Sequence, residues 1–194
     1  MTPLDRAGHG LRRPGFWLLA LGLLAADLWT KSWAHAYAAT GEQPVFGAWF
    51  SIQKVFNPGG VFGLGQSMTL PLTLLRAAAV IFILWLVARQ PRDNRLGVFT
   101  LALLLAGAAG NLYDNLSAWA PWPGNGHVRD FLKVDLGAAP SFWPERLWPF
   151  HPWPIFNLAD ACIVVGFLLL LTGLARVRIR GHAPGSSPAE ERRS

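Results

Sequence analysis

Apolar residues of this chain are gathered into four long runs separated by polar segments. The runs cover about residues 16–35, 69–88, 96–117 and 155–175. Each has about the 20 residues that an α-helix needs to cross the ~30 Å hydrocarbon layer of a bilayer. Polar residues do not alternate with apolar ones inside the runs, so the pattern favours helices over the strands of a membrane barrel. It predicts an all-α integral membrane protein with four transmembrane helices.

Arginines beside the runs predict their orientation. They form three clusters: Arg6, Arg12 and Arg13; Arg89, Arg92 and Arg95; Arg176, Arg178 and Arg180. With four spans, all three clusters lie on one side of the membrane, and the positive-inside rule makes that side the cytoplasm. We therefore expect both termini in the cytoplasm and the loops at about 36–68 and 118–154 on the outer side.

Composition agrees with a membrane protein of one domain. Of the 194 residues, 52 % are hydrophobic and 14 % charged, and mean hydropathy is +0.30. A net charge of +6 can indicate a nucleic-acid partner, but here the basic residues flank apolar runs, which predicts contact with membrane lipid and not with nucleic acid. We expect a single domain over 1–180 and a polar, disordered tail over 181–194.

The outer loops contain strand and turn patterns. Apolar residues stand among polar ones in 50–56, and the following Asn57-Pro58-Gly59-Gly60 is typical of a turn. The stretch 128–136 is strand-like, and 137–152 is rich in proline and tryptophan, as expected of a cover at the membrane interface. These patterns predict a small extracytoplasmic β-rich segment.

Ionisable and amide side chains reach one depth, just inside the outer boundary. Asp27 and Lys31 are four residues apart in the outer half of the first run, so they can pair on one helix face. The other members come from the third run, the fourth run and the loops: Asn111, Asp114, Asn157, Asp160, Asn57 and Asp130. Such groups are costly in a membrane and usually face the protein interior, so their clustering predicts a functional site.

Two neighbouring carboxyl groups in a low dielectric share one proton, because ionising both is expensive. The ionised group can take a proton from water while the protonated one polarises a carbonyl. This chemistry hydrolyses a peptide bond without a metal or covalent intermediate, and the chain contains no HExxH or GxSxG motif. Residue chemistry alone leaves Asp114 and Asp130 as equally good partners for Asp160.

Five short blocks follow one another along the chain. They are Asp27-Leu28-Trp29-Thr30-Lys31, Asn57-Pro58-Gly59-Gly60-Val61-Phe62, Gly107-Ala108-Ala109-Gly110-Asn111-Leu112-Tyr113-Asp114, Val128-Arg129-Asp130-Phe131 and Phe156-Asn157-Leu158-Ala159-Asp160. They are similar to D-x-x-[ST]-K, N-x-G-x-A-F with Val61 in place of alanine, G-x-x-G-N-x-x-D, V-x-D-F and F-N-x-A-D. In this order they resemble the lipoprotein signal peptidases, also called signal peptidase II.

The resemblance implies a monomeric aspartic endopeptidase of the bacterial cytoplasmic (inner) membrane. It would remove the signal peptide from diacylglyceryl-modified prolipoproteins, cutting before the lipidated cysteine on the extracytoplasmic side, with no cofactor or metal. By the same resemblance Asp130 and Asp160 are catalytic. The residues implied to bind substrate or support the pair are Asp27, Lys31, Asn57, Gly59, Asn111, Asp114, Asn157 and Ala159.

Two alternatives and one departure accompany this interpretation. A four-span transporter or proton channel would also bury carboxylates, but the inner halves of the last three runs have none. A non-catalytic protein that binds lipoproteins could keep the same pocket. The departure is Asn115, where the family usually has an arginine expected to bind a substrate carbonyl; Arg129 and Arg76 are the candidates to replace it.

Overall fold

The computed structural model describes residues 11–58, 69–91 and 93–178. Within these ranges it has helices α1 (Pro14–Tyr37), α2 (Thr69–Ala88), α3 (Arg95–Leu116) and α4 (Leu158–Leu171), strands β1 (Gln43–Phe46), β2 (Phe50–Asn57) and β3 (Val128–Val134), and a short 3-10 helix, Glu145–Leu147. The first three helices closely follow the predicted apolar runs. Gly59 and Gly60 of the predicted turn and the tail at 181–194 lie outside the described residues.

The fourth helix is shorter than predicted because local interactions define both of its ends. Asn157 caps the first turn: its Oδ1 accepts a hydrogen bond from the Asp160 backbone N–H (2.9 Å), and the Asp160 carboxylate accepts one from the Asn157 backbone N–H (3.2 Å). At the other end, Gly173 follows the cap with φ 69°, a left-handed conformation that glycine adopts without steric cost. The two ends of the fourth apolar run therefore lie outside α4.

Two helices in the described part of the chain, α2 and α3, are long and apolar enough to cross a membrane by length and composition, and α4 is a shorter apolar helix. The outer surfaces of α2 and α4 expose large apolar side chains, including Leu74, Ile81, Phe167 and Leu171. An apolar surface of this extent is unusual for a protein surrounded by water and fits contact with lipid.

Helix α3 occupies the centre of the bundle and packs against α1, α2 and α4. Two glycines allow close approach in the half of α3 that ends at Leu116. A Cβ atom at Gly107 would lie 2.4 Å from the Ala159 carbonyl oxygen, and one at Gly110 would lie 2.4 Å from Asp27 Oδ2. Small residues of this kind are typical of close helix contacts in membranes.

The predicted β-rich segment is an antiparallel sheet of three strands in the order β1-β2-β3. Strand β3 pairs with β2 on one side, and Asp130 stands opposite Val55. On its other side Leu132 exchanges backbone hydrogen bonds with Phe156, of 2.8 and 3.1 Å. Because Phe156 immediately precedes the cap of α4, this bridge brings β3 beside the first turn of α4.

The segments that carry the arginine clusters meet at the N-terminal end of α1. Arg13 Nη2 donates a hydrogen bond to the Pro91 carbonyl (2.7 Å), and Asn94 Nδ2 donates one to the Arg176 carbonyl (2.7 Å). Arg6, Arg92 and Arg180 are outside the described ranges. The remaining clusters lie together, away from the sheet.

Candidate active site

Asp130 and Asp160 are joined through one buried amide. Asp130 comes from β3 and Asp160 from the first turn of α4. Asn157, which is 0 % exposed, donates from Nδ2 to Asp130 Oδ1 (2.6 Å), and its backbone N–H donates to Asp160 Oδ2 (3.2 Å). The helix cap therefore holds the two carboxyl groups at one place.

Asp130 is held in conditions that favour its protonated form. It is 2 % exposed, and its second oxygen, Oδ2, accepts a hydrogen bond from Asn57 Nδ2 (3.0 Å). Burial and, next, the negative charge of Asp160 raise the pKa of Asp130 to about 7, although the two amide donors favour the ionised form. At neutral pH this group can thus hold a proton beside Asp160.

Asn111 orients Asp160 from the third helix. Its Nδ2 donates to Asp160 Oδ1 (2.8 Å), and its Oδ1 accepts from Lys31 Nζ (3.0 Å). An ammonium group is a donor only, so it requires the oxygen of the Asn111 amide to face it. The NH2 group of Asn111 must then face the Asp160 carboxylate.

Lys31 is a fully buried cation between two carboxylates. Its Nζ lies 2.8 Å from Asp27 Oδ2 and 3.0 Å from Asp114 Oδ2. The predicted pairing of Asp27 with Lys31 is thereby confirmed. The other oxygen of Asp27 accepts a hydrogen bond from the backbone N–H of Ala159 (2.8 Å), which ties α1 to the start of α4.

Asp114 binds the base of β3. It accepts hydrogen bonds from the backbone N–H of Arg129 (3.1 Å) and from Arg129 Nε (2.8 Å), and Nη2 lies 2.7 Å away. Arg129 also reaches Ser32 of α1, with Nη1 donating to Oγ (3.0 Å). Asp114 thus connects α3 with α1 and the strand that carries Asp130.

The match to known sequences decides the family. A sequence model of the family described as signal peptidase (SPase) II matches residues 19–176. The chain belongs to the signal peptidase II family. It is 30 % identical over 162 residues to a lipoprotein signal peptidase of Francisella tularensis subsp. novicida (strain U112), covering 80 % of this chain and 88 % of the relative. With a lipoprotein signal peptidase of Porphyromonas gingivalis (strain ATCC BAA-308 / W83), it shares 32 % identity over 177 residues, 77 % of each chain.

Solved structures share the fold of this signal peptidase II member. One, described as a bacterial membrane enzyme structure at 2.3 Å resolution, superposes with a TM-score of 0.65 at 22 % identity, over 82 % of this chain and 87 % of the other. Another, at 1.9 Å resolution, gives 0.63 at 21 % identity, over 84 % and 94 % of the two chains. The helical architecture with its small sheet is therefore that of known membrane enzymes.

The sequence analysis missed one polar residue near the signal peptidase II blocks, His35, and left the role of another, Arg76, undecided. His35 was missed, although it lies four residues after Lys31 on the same helix face; its Nε2 is 3.1 Å from the Asp130 carbonyl oxygen. Arg76, one of two candidates to replace the family arginine, hydrogen-bonds Asn115 Oδ1. Among the described residues, no group of three or more His, Cys, Asp or Glu is arranged to hold a metal ion.

Proposed function

We propose that this chain is an aspartic endopeptidase that removes the signal peptide from diacylglyceryl-modified prolipoproteins by cutting before the lipidated cysteine. Membership of the signal peptidase II family supports the substrate class. The observation that carries the aspartic mechanism is the linkage of the buried Asp130 carboxyl group to the half-buried Asp160 carboxyl group through the amide and backbone of Asn157.

In the proposed reaction, protonated Asp130 donates a hydrogen bond to the carbonyl oxygen of the scissile peptide, and ionised Asp160 takes a proton from water. The resulting hydroxide attacks the carbonyl carbon while Asp130 gives its proton to the carbonyl oxygen, and a tetrahedral diol forms. Asp160 then gives its proton to the leaving nitrogen as the C–N bond breaks, and Asp130 regains its proton from the diol. The pKa of about 7 supports the role of Asp130 as the acid.

The proposal includes placement in the bacterial inner membrane, with four spans, both termini in the cytoplasm and the site at the extracytoplasmic side. The apolar outer surfaces of α2 and α4 and the meeting of the arginine-bearing segments at one end support it. A substrate whose acyl chains remain in the bilayer presents its peptide bond near that surface. A reporter fused after residue 90 should be cytoplasmic and one inserted near residue 40 external; the reverse pattern would overturn the orientation.

A transporter or proton channel fits the described residues less well. Below the polar site, the bundle is filled by an apolar cluster that includes Ala20, Val87, Leu101 and Leu105. A proton path would have to continue through this cluster, where apolar side chains offer no hydrogen-bonding groups.

The mechanism is tested by Asp130→Asn and Asp160→Asn in purified protein, with cleavage of a diacylglyceryl-modified prolipoprotein as the assay. Each change removes the acid or the base, so activity should fall by at least about 100-fold while the protein still folds. Asp93→Asn is the matched control, because that exposed carboxylate pairs only with Arg178 in the described structure, at the arginine end. Activity near wild type in either site variant would remove that aspartate from the pair.

A further inference from the structure

Helix α2 carries a single charged residue, Arg76, within an otherwise uncharged and largely apolar sequence. Its Nη1 donates a hydrogen bond to Asn115 Oδ1 at the end of α3. Asn115 is 2 % exposed, and its Nδ2 in turn donates to the Gly126 carbonyl (2.7 Å), just before β3. A chain of two hydrogen bonds therefore directs the guanidinium toward the end of the bundle where the site lies.

Arg76 forms no ion pair with the residues that the structure describes. No carboxylate of the described residues lies within 4.0 Å of its guanidinium; Asp160, Asp130 and Asp114 act on it from farther away, Asp160 most strongly. A guanidinium has five N–H donors, and the neutral amide of Asn115 accepts one of them. Keeping a cation in an apolar helix is costly, and such residues commonly serve a site.

Arg129, the other arginine near the site, is already bound to side chains of the protein. It binds Asp114 through its backbone N–H, Nε and Nη2 and binds Ser32 through Nη1. Releasing it would break a charge-assisted contact that holds β3. Arg76 is the arginine whose remaining donors can be offered to a bound molecule.

We propose that Arg76 is a positioning residue that donates hydrogen bonds to a main-chain carbonyl oxygen of the bound substrate, beside the bond that is cut. The inference rests on the proposed peptidase function. An extended peptide crossing Asp130 and Asp160 presents carbonyl oxygens to its surroundings, and in a low dielectric a charge-assisted hydrogen bond to one of them is strong. Asn115 and Gly126 orient the guanidinium, so a cation from α2 serves the site from beside α3.

The test is steady-state cleavage of a diacylglyceryl-modified prolipoprotein by Arg76→Met. Losing a charged donor should raise KM about tenfold and change kcat by less than about threefold, and Arg76→Lys should give a smaller rise in KM. Arg89→Met is the matched control, because Arg89 follows the opposite end of the same helix and stacks over Trp85 (4.2 Å). It should leave both constants unchanged.

Rescue separates positioning from a structural role. In Arg76→Met/Asn115→Arg, the cation returns to the same place from α3, and KM should recover to within about threefold of wild type. A merely structural Arg76 would give lower thermal stability with unchanged KM, and the double variant would restore nothing. Either result overturns the proposal.

Binding to a cleavage-inactive protein keeps the result independent of turnover. In an Asp160→Asn background, Arg76→Met should weaken prolipoprotein binding about tenfold in Kd. An unchanged Kd overturns the role of Arg76; where Arg76→Met does not fold, an unchanged KM and Kd in Arg76→Lys does so. By contrast, a wild-type chain that cleaves nothing, or Asp160→Asn with full activity, overturns the proposed function itself.

Discussion

The protonation state of Asp130 offers the most direct test of the proposed mechanism, and Asn57→Ala is the substitution expected to change the pKa of this group. Asp130 accepts one hydrogen bond on each oxygen, from Asn57 (3.0 Å) and from Asn157 (2.6 Å). Asn157 also caps α4, so changing it would disturb the helix as well. Asn57 lies at the end of β2, so truncating its side chain leaves the Asn157 cap of α4 in place.

The expected shift follows from the free energy of one hydrogen bond. A hydrogen bond to a charged group contributes ~1.5–3 kcal/mol, and one pKa unit corresponds to ~1.36 kcal/mol. The bond from Asn57 favours the ionised form of Asp130, so its loss raises a pKa that burial and Asp160 already raise to about 7. The pKa should increase by about one unit or more.

The sign of the effect on activity is fixed by the proposed roles. Cleavage requires protonated Asp130 beside ionised Asp160, and activity is lost as pH rises through the pKa of Asp130. The alkaline limb of kcat/KM, expected near pH 7 in the wild type, should therefore move upward by about one unit in Asn57→Ala.

The assay is prolipoprotein cleavage at subsaturating substrate from pH 5 to pH 10. The position of the limb is the readout, since losing the side chain can also lower the whole profile. Gln43→Ala is the control, an amide on strand β1 that hydrogen-bonds Gly41 (3.4 Å), and its limb should match the wild type. A limb that stays in place or moves downward in Asn57→Ala would refute Asp130 as the protonated acid.

Two further changes test the support of the site. Asp114→Asn removes a carboxylate that pairs with Lys31 and Arg129, so it should lower the free energy of unfolding by about 3 kcal/mol and reduce cleavage; an unchanged unfolding midpoint in detergent would contradict this. Gly107→Ala places a methyl group against α4 and should lower the free energy of unfolding by ~1–3 kcal/mol. Gly22→Ala is the control and should be neutral, because a Cβ atom there has no neighbouring atom within 4 Å. Equal thermal stability of the two variants would contradict tight packing of α3 against α4 at Gly107.

Local patterns were enough to predict much of the helical framework. The second apolar run matches α2 because residues in lipid must satisfy their backbone groups within one helix, which makes run length a direct measure of helix length. Spacing of four residues was likewise enough to pair Asp27 with Lys31, since both lie on one helix. The prediction was less accurate for α4, where the Asn157 cap and Gly173 end the helix inside the apolar run.

Contacts between distant segments were decided only by the tertiary structure. Asp114 and Asp130 were equally good partners for Asp160 by residue chemistry, because each carries the same group at a similar depth. The bridge between β3 and the residues before α4 brings Asp130 to Asn157, while the backbone N–H of Arg129 turns Asp114 to the base of the strand. Strand pairing across 24 residues, from Leu132 to Phe156, leaves no periodic signal in the sequence, so its consequences for the site appear only when the chain is folded.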